Sequence, residues 1–82
     1  MIKQAIHQLS NKQDLTTDQA IVSMQEIMSG IASDIQIASF LTALRLKGET
    51  IDEITAFAQV MREKAQSIDY KDDLFEIVGT GG

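Results

Sequence analysis

The chain has 82 residues, seven basic and twelve acidic side chains, a net charge of −5 at neutral pH, and neither cysteine nor proline. That length holds one small domain and excludes an enzyme with a deep cleft between two lobes, while the acidic field, with no Lys/Arg stripe to offset it, argues against nucleic-acid binding. Without cysteine there is no disulfide framework, thiolate nucleophile or thiolate zinc site.

The first element is a short amphipathic segment with Ile2, Ala5, Ile6 and Leu9 on one side. The single histidine, His7, cannot build a metal site alone and is expected on the helix surface. No basic region followed by an apolar block marks a signal peptide. Three longer helices then announce themselves through their ends. Thr16 with Gln19, Ser33 with Gln36, and Thr50 with Glu53 each have the spacing of a capping box, in which side chain and backbone satisfy each other reciprocally. Leu15 with Ala20, and Ala32 with Ile37, stand at the staple positions around the first two boxes. Gly30 and Gly48 fall where the chain needs a left-handed residue to leave a helix. These signals predict helices over about 17–29, 34–47 and 51–67. The caps recur every 17 residues, a spacing that three turns of helix and a tight connection produce without duplication.

The apolar patterns complete an all-α reading. Ala20, Ile21, Met24, Ile27 and Met28 form one stripe; Ile54, Phe57, Ala58, Met61, Ala65 and Ile68 form another, with the methionines as core filler. From Ile35 to Leu44 there is no charge, and apolar residues cover both sides, so this helix is expected at the centre, wrapped by the others. Ala38, Ser39 and Ala43 would let a neighbour approach closely. Asp34 at its start, and Arg45 and Lys47 at its end, complement its dipole. The stretch from Ile35 to Leu46 is too short and too polar to span a bilayer, since Gln36, Ser39, Thr42 and Arg45 interrupt it. A cytoplasmic protein with no membrane partner is expected. Arg62, Glu63 and Lys64 read as a solvated helix end.

After Ile68 the character changes. Asp69 to Asp73 is a polar linker, and the acidic run to Glu76 reads as solvated chain rather than a metal site. Leu74 to Val78 has strand propensity, and Gly79-Thr80-Gly81-Gly82 follows. One strand cannot make a sheet. The expected organisation is a helical bundle domain over 1–68, with 69–82 as linker, strand and glycine-rich loop opening an α/β domain that is otherwise absent. A strand followed at once by Gly-x-Gly-Gly suits a phosphate-binding loop, because glycines admit positive φ and leave N–H groups accessible to an anion, and the threonine adds a hydroxyl. The bare pattern fits a flexible tail equally well.

Nearly the whole chain resembles the N-terminal part of the anthranilate phosphoribosyltransferases, a family shared with the pyrimidine nucleoside phosphorylases. The resemblance lies in DLTTDQA, IMSG, QIASFLTALRLKGETIDEITAFAQVMREKA and DLFEIVGTGG. The related phosphorylases usually carry Ser-Thr-Gly-Gly in the loop; Gly79 before Thr80 favours the anthranilate branch. The resemblance implies a two-domain enzyme that transfers phosphoribose from phosphoribosyl pyrophosphate to anthranilate, with Mg²⁺, in tryptophan biosynthesis. It implies that Gly79 borders both anthranilate and phosphoribosyl pyrophosphate, that Gly82 contacts the latter, and that Thr80 and Gly81 shape the loop. The family's loop continues with an aspartate this chain lacks. The magnesium carboxylates and other catalytic groups would lie beyond Gly82, so no catalytic or metal residue is assigned within the chain. The expectation is therefore an N-terminal fragment, inactive alone, with its helical domain serving as a homodimerisation platform. The alternatives are a fragment of a pyrimidine nucleoside phosphorylase-type enzyme and a non-catalytic helical dimerisation module.

Overall fold

The computed structural model describes residues 1–67, in which four helices follow one another: α1 (Ile2–Ser10), α2 (Thr17–Met28), α3 (Asp34–Lys47) and α4 (Ile51–Ser67). Ile68 of the expected α4 stripe, the linker, the strand over 74–78 and the glycine loop over 79–82 lie outside the described residues. No helix among the described residues is long and apolar enough to cross a membrane.

The helix starts form as their sequences direct. Thr16 and Ser33 accept from the backbone N–H of Gln19 and Gln36, and both glutamines bond back to the capping backbone. At α4, Glu53 N–H donates to Thr50 Oγ1 at 3.1 Å and Thr50 N–H to Glu53 Oε1 at 2.9 Å. Each box closes two donors that the helix cannot satisfy itself. The start of α1 is closed from another element: Ile2 N–H donates to Glu26 Oε1 of α2 at 3.0 Å.

Two helices end in the same way. At α2, Gly30 has φ +80°, with Gly30 N–H bonded to Ile27 O and Ile31 N–H to Glu26 O. At α1, Lys12 takes the left-handed position with φ +65°, and the equivalent bonds run from Lys12 N–H to Leu9 O and from Gln13 N–H to Gln8 O. Both are Schellman motifs. The second uses a lysine where glycine is the usual solution.

In the bundle, α1 packs chiefly on α3 and α2 on α4, with a smaller contact between α1 and α2. Ile2, Ala5 and Leu9 of α1, Phe40 and Leu44 of α3, and Ala56, Phe57 and Val60 of α4 form the core. Leu15 and Ala20, the expected staple pair, are both buried in it. The rings of Phe40 and Phe57 meet edge to face, 5.9 Å between centroids and 70° apart in plane, and tie α3 to α4. Gln8 and Gln19 tie α1 to α2 by a reciprocal amide pair at 3.1 and 2.8 Å.

Two expectations about burial are corrected. The inner face of α4 is Glu53, Ala56, Phe57 and Val60, not the stripe through Ile54, Ala58 and Met61, which is exposed. The buried face is turned by one helical position because a charged residue, Glu53, belongs to it. Nor is α3 wrapped on all sides. It buries Phe40, Ala43 and Leu44, while Ile35 is 78% and Leu46 71% exposed. Met28 is exposed as well; of the methionines of α2 and α4, Met24 alone is buried.

Candidate functional site

The four residues singled out for substrate binding, Gly79, Thr80, Gly81 and Gly82, lie outside the described residues. Within the described residues, two features stand apart from ordinary packing: a buried charge cluster and an apolar groove.

The cluster joins the two connections at one end of the bundle. The Glu53 side chain is fully buried. Its Oε2 accepts from Leu15 N–H at 2.7 Å, and its Oε1 accepts from Thr50 N–H and from Lys47 Nζ, both at 2.9 Å. Lys47 Nζ also donates to Asp14 Oδ1 at 3.0 Å and to Gly48 O at 2.7 Å. Burial by itself pushes Glu53 up, but the N–H groups of Leu15 and Thr50 and the Lys47 ammonium outweigh it and hold the carboxyl below its ordinary value. Burial likewise pushes Lys47 down, and its bonds to Glu53 and Asp14 overcome that, so its affinity for the proton is raised. Both groups are thus held in their charged forms with their hydrogen-bonding capacity engaged. That suits a structural tie and leaves no group free for proton transfer.

Glu53 was legible as a cap and no more. Its burial depends on Leu15, 38 positions away, and no local pattern carries that information. The only hint is a lysine six residues earlier, just before the glycine that turns the chain.

The groove lies between α1 and α3 and encloses about 550 Å³. Ile6 and Leu9 form one wall; Ala38, Thr42, Ala43 and Leu46 form the other. Lys12 stands at its rim, with its ammonium 3.3 Å from Leu46 O at the end of α3. The small residues Ala38, Ser39 and Ala43, expected to let a neighbour approach closely, line this hollow instead. The lining holds no nucleophile paired with a base.

Among the described residues there is no grouping of three or more His, Asp or Glu side chains able to hold a metal ion. His7 is exposed on α1, with Asn11 Nδ2 3.3 Å from its Nε2.

Comparison with known proteins agrees with the helical reading. Residues 3–65 match the model of a glycosyl transferase family, helical bundle domain. Over all 82 residues the chain is 60% identical to an anthranilate phosphoribosyltransferase of Ruminiclostridium cellulolyticum and 57% identical to one of Endomicrobium trichonymphae, covering 24% of each. It is 45% identical over its full length to an anthranilate phosphoribosyltransferase of Bacillus caldotenax, covering 34% of that protein. The chain thus spans about a quarter to a third of the length of these curated relatives, and the match lies in their N-terminal region. With the helices and caps in place over the matched residues, the chain belongs to the glycosyl transferase family whose helical bundle domain this is.

Proposed function

We propose that this chain is the helical domain, with the first strand and glycine loop, of an anthranilate phosphoribosyltransferase acting in the cytoplasm in tryptophan biosynthesis. The observation that carries this reading is the 60% identity to a relative of that name over every residue of the chain. The match includes the terminal segment, which favours a working loop over an adventitious tail. Gly79 then borders anthranilate and phosphoribosyl pyrophosphate, Gly82 contacts the latter, and Thr80 and Gly81 set the loop's shape. The exposed Ile54, Ala58 and Met61 of α4 suit a domain that works against further protein.

In the transfer, the amine nitrogen of anthranilate bonds to the ribose carbon as the bond to pyrophosphate breaks, and the amine loses a proton. The leaving pyrophosphate needs its charge neutralised. Mg²⁺ would supply that when bound, held in this reading by residues beyond Gly82. The helical bundle, acidic overall, contributes scaffold and assembly: a homodimer formed through the helical domain. The 82 residues alone are inactive in this reading.

The test compares the 82-residue chain with the longer polypeptide encoded by its reading frame, following consumption of anthranilate with phosphoribosyl pyrophosphate and Mg²⁺. Turnover by the longer protein and none by the short chain is expected. Phosphorolysis of pyrimidine nucleosides by the longer protein, without anthranilate turnover, would replace this reading by the phosphorylase one.

A further inference from the structure

We infer that the Glu26 carboxylate is a seat for a free amino group on Met1, so that acylation of that amino group, by formyl or acetyl, is a modification that loosens α1. The start of α1 carries this, independently of the phosphoribosyl-transfer reading.

Helix α1 begins without the capping box that opens α2, α3 and α4. Met1 stands at its cap position with no side-chain cap, and no acidic residue lies in its first turn. The Met1 ammonium is moreover the wrong charge for the positive end of a helix. The missing acceptor comes from 24 positions away. Glu26 Oε1 accepts from Ile2 N–H at 3.0 Å, and Glu26 Oε2 lies 3.4 Å from the Met1 ammonium. One carboxylate thus spans two consecutive nitrogens, with one oxygen for each.

Both partners are held in place. The side chains of Met1 and Glu26 are only 16% and 20% exposed, so solvent screens this pair less than an open surface pair. Met1 packs against the core, and its carbonyl accepts from Ala5 N–H at 2.9 Å. Glu26 stands in the last turn of α2, where its own carbonyl accepts from Ile31 N–H at 3.0 Å and Ala32 N–H at 3.3 Å. The contact between α1 and α2 is small, so this tie and the Gln8–Gln19 amide pair weigh heavily in joining them. Acylation joins the amine nitrogen to the carbonyl carbon of an activated acyl donor; the nitrogen loses a proton and the donor its leaving group. The product is a neutral amide. A charge-assisted bond is roughly twice as strong as a neutral one, and the acyl group needs room beside the packed Met1. On a helix with no such partner the same change is favourable, because it removes a charge opposed to the dipole. Glu26 reverses that ordinary sign.

The 82-residue chain, prepared by chemical synthesis with a free, an N-formyl or an N-monomethyl Met1, isolates the charge. Both groups are small, but the methyl keeps the ammonium and the formyl removes it. The urea midpoint should fall in the formyl chain and hold in the methyl chain. Ala5 N–H, bonded to Met1 O, reports opening of the first turn of α1 and should exchange about fivefold faster in the formyl chain. In Glu26→Gln, formylation should leave the midpoint unchanged or raise it. A formyl chain as stable as the free one would overturn the inference. Equal losses from methyl and formyl groups would overturn it too, since bulk and not charge would then be at work. An equal formyl loss in Glu26→Gln would assign the effect to another acceptor and overturn it likewise. Should Glu26→Gln not fold, the formyl and methyl forms of the unsubstituted chain still decide.

Discussion

Lys47 Nζ lies 2.9 Å from Oε1 of the fully buried Glu53, and this pair links the end of α3 to the start of α4. Through Leu15 N–H and Asp14 Oδ1 the same two side chains also hold the connection between α1 and α2. Two connections at one end of the bundle therefore depend on a single carboxylate. Glu53→Gln should be the most damaging isosteric change in the chain. An amide cannot accept both from Leu15 N–H on one side and from Thr50 N–H and Lys47 on the other, and the ammonium loses its closest counter-charge. Breaking one partner of a buried pair costs about 3–5 kcal/mol, a large part of what a domain of this size has. Urea denaturation should show this as a lower midpoint. Combining Glu53→Gln with Lys47→Met should cost less than the two single losses added together, because both remove the same contact.

The same cluster sets a pH dependence. The carboxyl of Glu53 is held below its ordinary value in the folded chain, so the unfolded chain binds its proton more readily. Its contribution is then complete above the ordinary glutamate value of about 4.3 and is lost as pH falls through the lower, folded value. Lys47 is raised, so its contribution is complete below the ordinary lysine value of about 10.4 and is lost as pH rises through the higher, folded value. Denaturation midpoints measured across both windows should fall at each end. In Glu53→Gln the loss at the acid end should be shallower; an unchanged acid slope would remove Glu53 as its source.

What the sequence shows plainly in this chain is whatever is local. Thr16, Ser33 and Thr50, each with a Glu or Gln three residues on, marked three helix starts, and Gly30 marked an end, because these contacts close within one turn. The face of α4 was not legible in the same way. Counting apolar residues selects Ile54 and Met61, whereas the inner face includes Glu53, whose burial is made tolerable by a backbone N–H far away in the chain. The left-handed Lys12 gave no signal either, since no glycine or asparagine stands there. The uncharged run of α3 reads as a central helix. Composition does not distinguish a face covered by the same chain from one left for another surface. The candidate site was legible only as a pattern, Gly79 to Gly82, outside the described residues.

Phe40 is fully buried and meets Phe57 edge to face across the α3–α4 contact. Phe40→Ala removes a ring from the junction of the two helix pairs and leaves a cavity, which costs about 3–5 kcal/mol. Phe40→Leu keeps most of the volume and should cost less than half as much. Near-ultraviolet circular dichroism of Phe57, together with the denaturation midpoint, would separate loss of the ring contact from general loosening.

The two Schellman ends make opposite predictions. Gly30 has φ +80° and open space where a Cβ would stand, so Gly30→Ala meets no clash and its cost is that of the backbone conformation, about 1 kcal/mol. Lys12 already carries that strain at φ +65°. Lys12→Gly should therefore relieve it, offset in part by losing the ammonium contact with Leu46 O and by the freer unfolded chain. A net change within about 0.5 kcal/mol of zero is expected at position 12, against a clear loss at position 30. Equal losses at both sites would show that the lysine contact, not the backbone, governs the first turn.

Ser23 offers the one change expected to stabilise. It lies fully buried on the inner face of α2, beside Ala20 and Met24, and its hydroxyl has no hydrogen-bond partner among the described residues. A buried hydroxyl without a partner forfeits its hydration and gains nothing in exchange, a penalty of about 1–3 kcal/mol. Ser23→Ala removes the oxygen, keeps the small volume needed at this position, and has the higher helix propensity. The midpoint of thermal unfolding should rise by several degrees, since about 1 kcal/mol moves a domain of this size by 4–8 °C. Ser23→Val is the control. It also removes the hydroxyl but adds bulk where α2 meets the core, so overpacking should cancel the gain. A midpoint lowered by Ser23→Ala would show instead that the hydroxyl is satisfied in solution, by a buried water or by a helix carbonyl one turn back.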